Sequence, residues 1–268
     1  MKLTISPAEL KKCLDDEDKK MNLLIVDTRS FSDYSLGHVP GAINMDTMQF
    51  HWIDTSKHGI VQFAKQMKIL LSNIGVEKNK NVVFYDDISG SSAARGVWLL
   101  LYFSHRKVVM LDGGFKRWKN EGYTEERKSN PYLHSNFVAK PNNRILADSN
   151  YIKNKLKIKS RKVRIVDSRS QPEFQGTLVR AARSGHIPDA INIDWTRNIE
   201  DHSFKEKEQL RRMYSIIPKN SEIITYCQGG YRAANTFVVL KMLGYKNVRM
   251  YLGSWGEWGN KLNLPVEQ

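Results

Sequence analysis

The chain carries two cysteines, Cys13 and Cys227, in opposite chemical settings. Cys227 closes the apolar run Ile223-Ile224-Thr225-Tyr226 and is followed by Gln228-Gly229-Gly230-Tyr231-Arg232, after which Ala233-Ala234-Asn235-Thr236-Phe237-Val238-Val239-Leu240 opens. The first run predicts a buried strand and the last a helix, so the sulfur belongs to a loop at a helix N-terminus. Consecutive backbone N–H groups there, curled by two glycines, form a nest that favours an anion at its centre. A thiolate or a persulfide is such an anion, and the same field keeps the sulfur nucleophilic near neutral pH. Cys13 falls in a charged N-terminal helix without such a loop and reads as ordinary packing.

The elements that position Cys227 are written twice. Leu24-Ile25-Val26-Asp27-Thr28-Arg29 returns as Arg164-Ile165-Val166-Asp167-Ser168-Arg169, and Gly37-His38-Val39-Pro40-Gly41-Ala42-Ile43-Asn44 as Gly185-His186-Ile187-Pro188-Asp189-Ala190-Ile191-Asn192. Val82-Val83-Phe84-Tyr85 matches Ile223 to Tyr226, and Val108-Val109-Met110-Leu111 with Trp118 matches Val248-Arg249-Met250-Tyr251 with Trp258. Four matches in one order mark a duplication. Short β-branched runs alternate with amphipathic stretches in each copy, which predicts an α/β fold: two tandem domains, each a mainly parallel sheet flanked by helices. The domains are placed at 1–130 and 143–268, with the proline-bearing, aperiodic stretch 131–142 as linker.

Duplication supplies an internal control. Residues present in both copies, such as Asp27 and Asp167, Arg29 and Arg169, or His38 and His186, are explained by the shared fold. At the cysteine position the first copy reads Asp86, in Tyr85-Asp86-Asp87-Ile88-Ser89-Gly90-Ser91-Ser92-Ala93-Ala94, so only the C-terminal half can perform thiol chemistry.

Composition bounds the partners. A net charge of +14 suits the steering of small anions. The lysines and arginines are scattered without an aromatic-basic motif, which argues against nucleic acid as the main ligand. The N-terminal MKLTISPAELKKCLDD has no signal-like or membrane-spanning apolar run, and Ser6-Pro7 reads as a helix start, so a cytoplasmic location without membrane attachment is expected. Dispersed histidines and two lone cysteines suggest no metal site, and no nucleotide motif is present.

Cys227-Gln228-Gly229-Gly230-Tyr231-Arg232, the paired Gly-His-Val/Ile-Pro motifs and the terminal Gly253-Ser254-Trp255-Gly256-Glu257-Trp258-Gly259-Asn260 together resemble the tandem-domain rhodaneses over essentially the whole chain. That resemblance implies an inactive N-terminal domain and a six-residue active-site loop, Cys227 to Arg232. It also implies double displacement: thiosulfate or 3-mercaptopyruvate hands sulfur to Cys227, and cyanide or another thiol collects it. No cofactor beyond the cysteine persulfide is implied. Rhodanese-fold phosphatases use a Cys-x5-Arg loop, whereas the spacing here is Cys-x4-Arg, which suits one sulfur atom.

The same resemblance assigns anion binding to Arg232 and to an arginine of Leu178-Val179-Arg180-Ala181-Ala182-Arg183, with Arg183 preferred over its rival Arg180. Asp167-Ser168-Arg169 and Glu173 resemble the family's structural ring around the pocket. Trp255 is either the pocket's apolar wall or plain core, since Phe115 takes its place in the first copy. Gln-Gly-Gly-Tyr-Arg lacks the hydroxyls usual in mercaptopyruvate enzymes and ends in a cation, which favours thiosulfate as donor. Asp189 replaces the glycine of Gly41 and puts the turn geometry there in question. A carrier that passes persulfide to a protein partner is the competing reading, with the basic surface as its docking patch.

Overall fold

The computed structural model describes residues 2–47, 51–158 and 162–268. The first half contains β1 (Thr4–Ile5), α1 (Pro7–Leu14), α2 (Glu17–Met21), β2 (Leu23–Asp27), α3 (Phe31–Leu36), β3 (Ile43–Asn44), α4 (Lys57–Asn73), β4 (Asn81–Tyr85), α5 (Ser91–Tyr102), β5 (Val108–Leu111) and α6 (Gly114–Asn120). The second contains β6 (Leu146–Ala147), α7 (Ser149–Lys157), β7 (Val163–Asp167), α8 (Gln171–Phe174), β8 (Ala190–Asn192), β9 (Ile199–Glu200), β10 (Ser203–Phe204), α9 (Lys207–Met213), β11 (Glu222–Tyr226), α10 (Tyr231–Met242), β12 (Val248–Tyr251) and α11 (Ser254–Trp258).

Each half builds a five-stranded, all-parallel sheet, in the orders β1-β5-β4-β2-β3 and β6-β12-β11-β7-β8. The two orders are the same once the copies are aligned, which is the repeat made three-dimensional. All-parallel sheets need cover on both faces, and the near-continuous apolar strands β4 and β11 meet that requirement. Among the described residues, no helix is long and apolar enough to cross a membrane.

The sequence punctuation is obeyed locally. Ser6 caps α1 with Glu9 closing the reciprocal box and Pro7 in the first turn. Residues 127–145 carry no helix or strand. Within that stretch Ser135 donates to Val76 O at 2.7 Å and buried Phe137 donates its N–H to Ser72 Oγ at 3.1 Å, so the segment is tied along the first domain.

The two motifs that repeat most clearly are indeed architectural. Arg29 holds Asp27 and the Gly37 carbonyl, and Arg169 holds Asp167 and the Gly185 carbonyl, with the Nη2–Oδ2 distance 2.6 Å in both. His38 donates Nδ1–H to Tyr34 O and stacks on the Tyr34 ring, while His186 does the same with Phe174. Asp189 adopts φ +62° where Gly41 has +76°, and its N–H reaches Glu267 as that of Gly41 reaches Glu126. The turn is therefore preserved, because aspartate tolerates the left-handed region better than most residues.

The halves share one interior. Helices α5 and α10, which follow the two loops, pack against each other, and a single apolar cluster runs from Val97 and Trp98 through Phe237 and Val238. Smaller clusters lie on the outer faces of the two sheets, around Leu10 and Trp118 in one and Ile152 and Trp258 in the other.

Candidate active site

Cys227 follows β11 directly and is 1 % exposed at the bottom of the β11–α10 loop. Its Sγ accepts the Gly230 N–H at 3.1 Å, and its own backbone is pinned at both ends, N–H to Ser254 Oγ at 3.2 Å and carbonyl to Trp255 N at 2.8 Å. Gly230 can close this curl because its φ of +88° costs a glycine nothing. The loop ends at the N-terminus of a twelve-residue helix, α10. These are the ingredients that stabilise a sulfur anion.

The corresponding loop of the first domain is filled by the protein itself. Asp86 lies buried, and its carboxylate accepts the N–H groups of Gly90 at 3.0 Å, Ser92 at 3.1 Å and Ala93 at 3.2 Å. The same nest that can receive a sulfur anion in one copy is thus occupied by a fixed side chain in the other.

The remaining loop residues face in different directions. Gln228 donates Nε2–H to the Arg180 carbonyl at 2.9 Å, and its carbonyl accepts from Gly256 N at 2.8 Å. Tyr231 turns to the first domain and donates its hydroxyl to Thr47 O at 2.7 Å. Arg232 forms a bidentate pair with buried Glu173, 2.6 and 2.9 Å. Burial alone would raise the Glu173 carboxyl, but the Arg232 cation and the Ser170 donors overcome it and hold the group at about 2. Arg180 is more exposed, with its guanidinium 3.7 Å from the same carboxylate.

One expectation is corrected here and one open choice is decided. Arg183 is not a free anion ligand: its guanidinium donates to the carbonyls of Gly259, Leu264, Trp258 and Lys261, at 3.3, 2.6, 2.8 and 2.6 Å. It satisfies the Trp258 carbonyl left open at the end of α11 and three more in the turn that follows. Trp255 is core rather than pocket wall. Its ring is 1 % exposed and lies under the Arg169 guanidinium at 4.6 Å, as Phe115 lies under Arg29 at 4.1 Å. Arg232, too, is committed to Glu173 before any donor arrives, which leaves Arg180 as the less engaged cation of the three.

What the sequence reading missed is the contribution of the first domain. His51, which precedes α4, lies over the Cys227 loop, so closely that a Cβ on Gly229 would come within 1.9 Å of its Cε1. Ile53 Cγ2 stands 3.2 Å from the Cβ position of Gly256. Thr55 joins the domains, donating N–H at 3.1 Å and hydroxyl at 2.5 Å to buried Glu257, which also accepts from Tyr251 and Lys261. Burial and the neighbouring Arg95 cation hold the His51 imidazole below its ordinary range. The arrangement is reciprocal: the second domain's His202 carbonyl accepts from Ser89 N at 2.7 Å, in the Asp86 loop.

A duplicated α/β frame with a single cysteine nest at the domain interface defines a class, and comparison with known proteins gives that class its name. Residues 6–121 and 150–261 each match the rhodanese-like domain, and the chain belongs to that family. It is 30 % identical over 268 residues to a thiosulfate sulfurtransferase of Pseudomonas aeruginosa, covering 99 % of this chain and 97 % of that one. It is 33 % identical over 273 residues to the sulfur carrier protein TtuD of Thermus thermophilus, covering 93 % and 92 %. Both relatives support sulfurtransferase activity. Among solved structures, YnjE superposes with a TM-score of 0.85 at 23 % identity, over 99 % of this chain and 68 % of that one. EanB in complex with ergothioneine superposes at 0.81 and 21 %, over 92 % of this chain and 64 % of that one, so this chain spans less than two thirds of EanB. Both structural likenesses speak to the fold.

Proposed function

We propose that the chain transfers sulfane sulfur from thiosulfate to cyanide or another thiophilic acceptor by way of a Cys227 persulfide. The observation that carries this reading is the Gly230 N–H aimed at Cys227 Sγ inside a loop whose duplicate is plugged by Asp86. The Cys227 thiolate attacks the outer sulfur of thiosulfate, a new S–S bond forms, and sulfite departs with the electron pair of the old one. Cyanide then attacks the terminal sulfur of the persulfide, thiocyanate leaves, and the thiolate is restored. Neither step needs an outside oxidant or a bound cofactor, because the sulfur carries its own oxidation state throughout.

Arg180 is the side chain best placed to meet the donor's sulfonate, since its backbone abuts Gln228 and its guanidinium is more exposed than those of Arg183 and Arg232. Two alternative readings use the same cysteine. A 3-mercaptopyruvate donor would leave pyruvate in place of sulfite, and the carrier reading, favoured by the likeness to TtuD, would deliver the persulfide to a protein.

Intact mass after thiosulfate, and again after cyanide, separates these readings. The expected result is a gain of about one sulfur atom, confined to Cys227 and absent in Cys227→Ala, that cyanide removes as thiocyanate. A gain from mercaptopyruvate alone would replace the donor. No gain from either small molecule would overturn the small-molecule reading in favour of the carrier.

A further inference from the structure

Arg95, on α5 of the cysteine-less domain, is 4 % exposed. A guanidinium stays protonated at any ordinary pH, and a buried charge left unmatched is strongly destabilising. Yet among the described residues Arg95 has no carboxylate partner. Its surroundings are the rings of Trp98 at 4.8 Å, Tyr231 at 5.4 Å and Phe63 at 5.8 Å, with Met250 Sδ 3.8 Å from Nη1.

The groups that could answer this cation lie on the Cys227 loop and above it. Nη1 is 2.9 Å from the position a Cβ on Gly230 would take, and Gly230 is the residue whose N–H holds Cys227 Sγ at 3.1 Å. The titratable groups within its electrostatic reach are Cys227, Tyr231 and His51. His51 can add only positive charge. Tyr231 donates its hydroxyl to Thr47 O, and burial discourages its ionisation. Asp46 acts on Tyr231 rather than on Arg95, so among the described residues Cys227 is left as the one group in reach of Arg95 able to carry a negative charge.

The duplication strengthens the case. After the shared Ala-Ala start of the two helices, Arg95 aligns with Asn235. Asn235 crosses the interface to the other loop and donates to Ser89 O at 2.8 Å and Gly90 O at 3.3 Å. Each helix therefore sends this residue to its partner's loop, a neutral amide where Asp86 already fills the nest and a cation where the sulfur sits.

We infer that Arg95 is the fixed counter-charge of the Cys227 anion, thiolate or persulfide, supplied across the domain interface by the copy that has no cysteine. This rests on the reading of Cys227 as the sulfur-bearing anion and adds a positioning residue to it. Arg95 need not touch the donor to act; its fixed positive charge faces the sulfur in a site from which water is largely shut out.

The test is the pH dependence of Cys227 alkylation by iodoacetamide, in a Cys13→Ser background, for Arg95, Arg95→Met and Arg95→Lys chains whose folding is checked by circular dichroism. In Arg95→Met the midpoint of reactivity is expected to move up by about one pH unit or more, and Arg95→Lys is expected to stay closer to the parent. A folded Arg95→Met chain with the parent's midpoint overturns the inference, since a merely structural role lowers the unfolding midpoint and leaves this profile alone. Should Arg95→Met not fold, the parent chain answers: capping Cys227 as a neutral methyl disulfide must shift the Arg95 Nε–H resonance, and an unmoved resonance overturns the inference. Sulfur loading from thiosulfate, measured on the same samples, keeps the two readings apart. Its absence in the parent sinks the transfer reaction, whereas normal loading with an unmoved midpoint in Arg95→Met sinks the counter-charge alone.

Discussion

Glu173 and Arg232 face each other through two hydrogen bonds, 2.6 and 2.9 Å, between α8 and the last residue of the Cys227 loop. The pair fixes the end of the loop to the rim of its own domain and sets how much of the Arg232 charge is left for a ligand. Its geometry is the planar fork that arginine and carboxylate favour. Arg180 approaches the same carboxylate from outside, so the rim is a small network in which one anion orders two cations.

Glu173→Gln is therefore expected to cost stability chiefly near neutral pH. The carboxyl sits at about 2 in the fold against an unperturbed 4.5, so it binds fewer protons folded than unfolded between those values. Stability from this group is complete above about pH 5 and is lost as pH falls toward 2. In urea titrations the variant should be roughly 2–3 kcal/mol less stable at pH 7, with the gap closing on acidification. A gap unchanged between pH 7 and pH 3.5 would show that the pair contributes packing rather than charge.

Arg180 and Arg183 should separate cleanly by the kind of defect they produce. Arg183→Ala removes hydrogen bonds to four carbonyls at the end of α11 and in the turn after it, and is expected to lose about 2–3 kcal/mol of stability with little change in the KM for thiosulfate. Arg180→Ala leaves stability nearly unchanged and is expected to raise that KM about tenfold, the size of one charge-assisted contact. Denaturation and steady-state kinetics on the two variants check both halves. The reverse pattern would restore Arg183 to the donor site.

Much of this site is legible in the sequence because it is local. The strand that ends at Tyr226, the helix that begins at Tyr231 and the glycine-made curl between them depend on neighbours a few residues away, and they form as periodicity requires. Comparing the copies also separates Arg169 and His186 from chemistry, since Arg29 and His38 repeat their contacts. What escapes is set by tertiary apposition. The two loop glycines look alike in sequence, yet Gly230 is required by its own φ and Gly229 by the approach of His51 from the other domain. Arg183 misleads for a related reason: the carbonyls that bind it lie some 75 to 81 residues away, at Trp258, Gly259, Lys261 and Leu264. Arg95 belongs to no motif in the sequence, and only the packing of α5 on α10 buries it beside the loop.

The plugged loop of the first domain gives the last prediction, with a sign opposite to that of Glu173. Burial raises the Asp86 carboxyl to about 6, even though the N–H groups of Ala93, Gly90 and Ser92 pull it down, and nearby Asp87 adds to the rise. A carboxyl raised in the fold binds more protons folded than unfolded between 3.8 and about 6. Its contribution is therefore most favourable below pH 4 and declines as pH rises through 6. Asp86→Asn keeps the shape without the titration, so the parent should lose roughly 2–3 kcal/mol relative to the variant between pH 4 and pH 8. Urea midpoints across that range measure the difference directly. If the parent gains on the variant instead, the three N–H donors outweigh burial, and Asp86 is an ionised anion held in its nest at every pH where the protein is folded. That outcome would make the first loop a working anion site occupied by its own side chain, and would strengthen the parallel with the sulfur anion of the second.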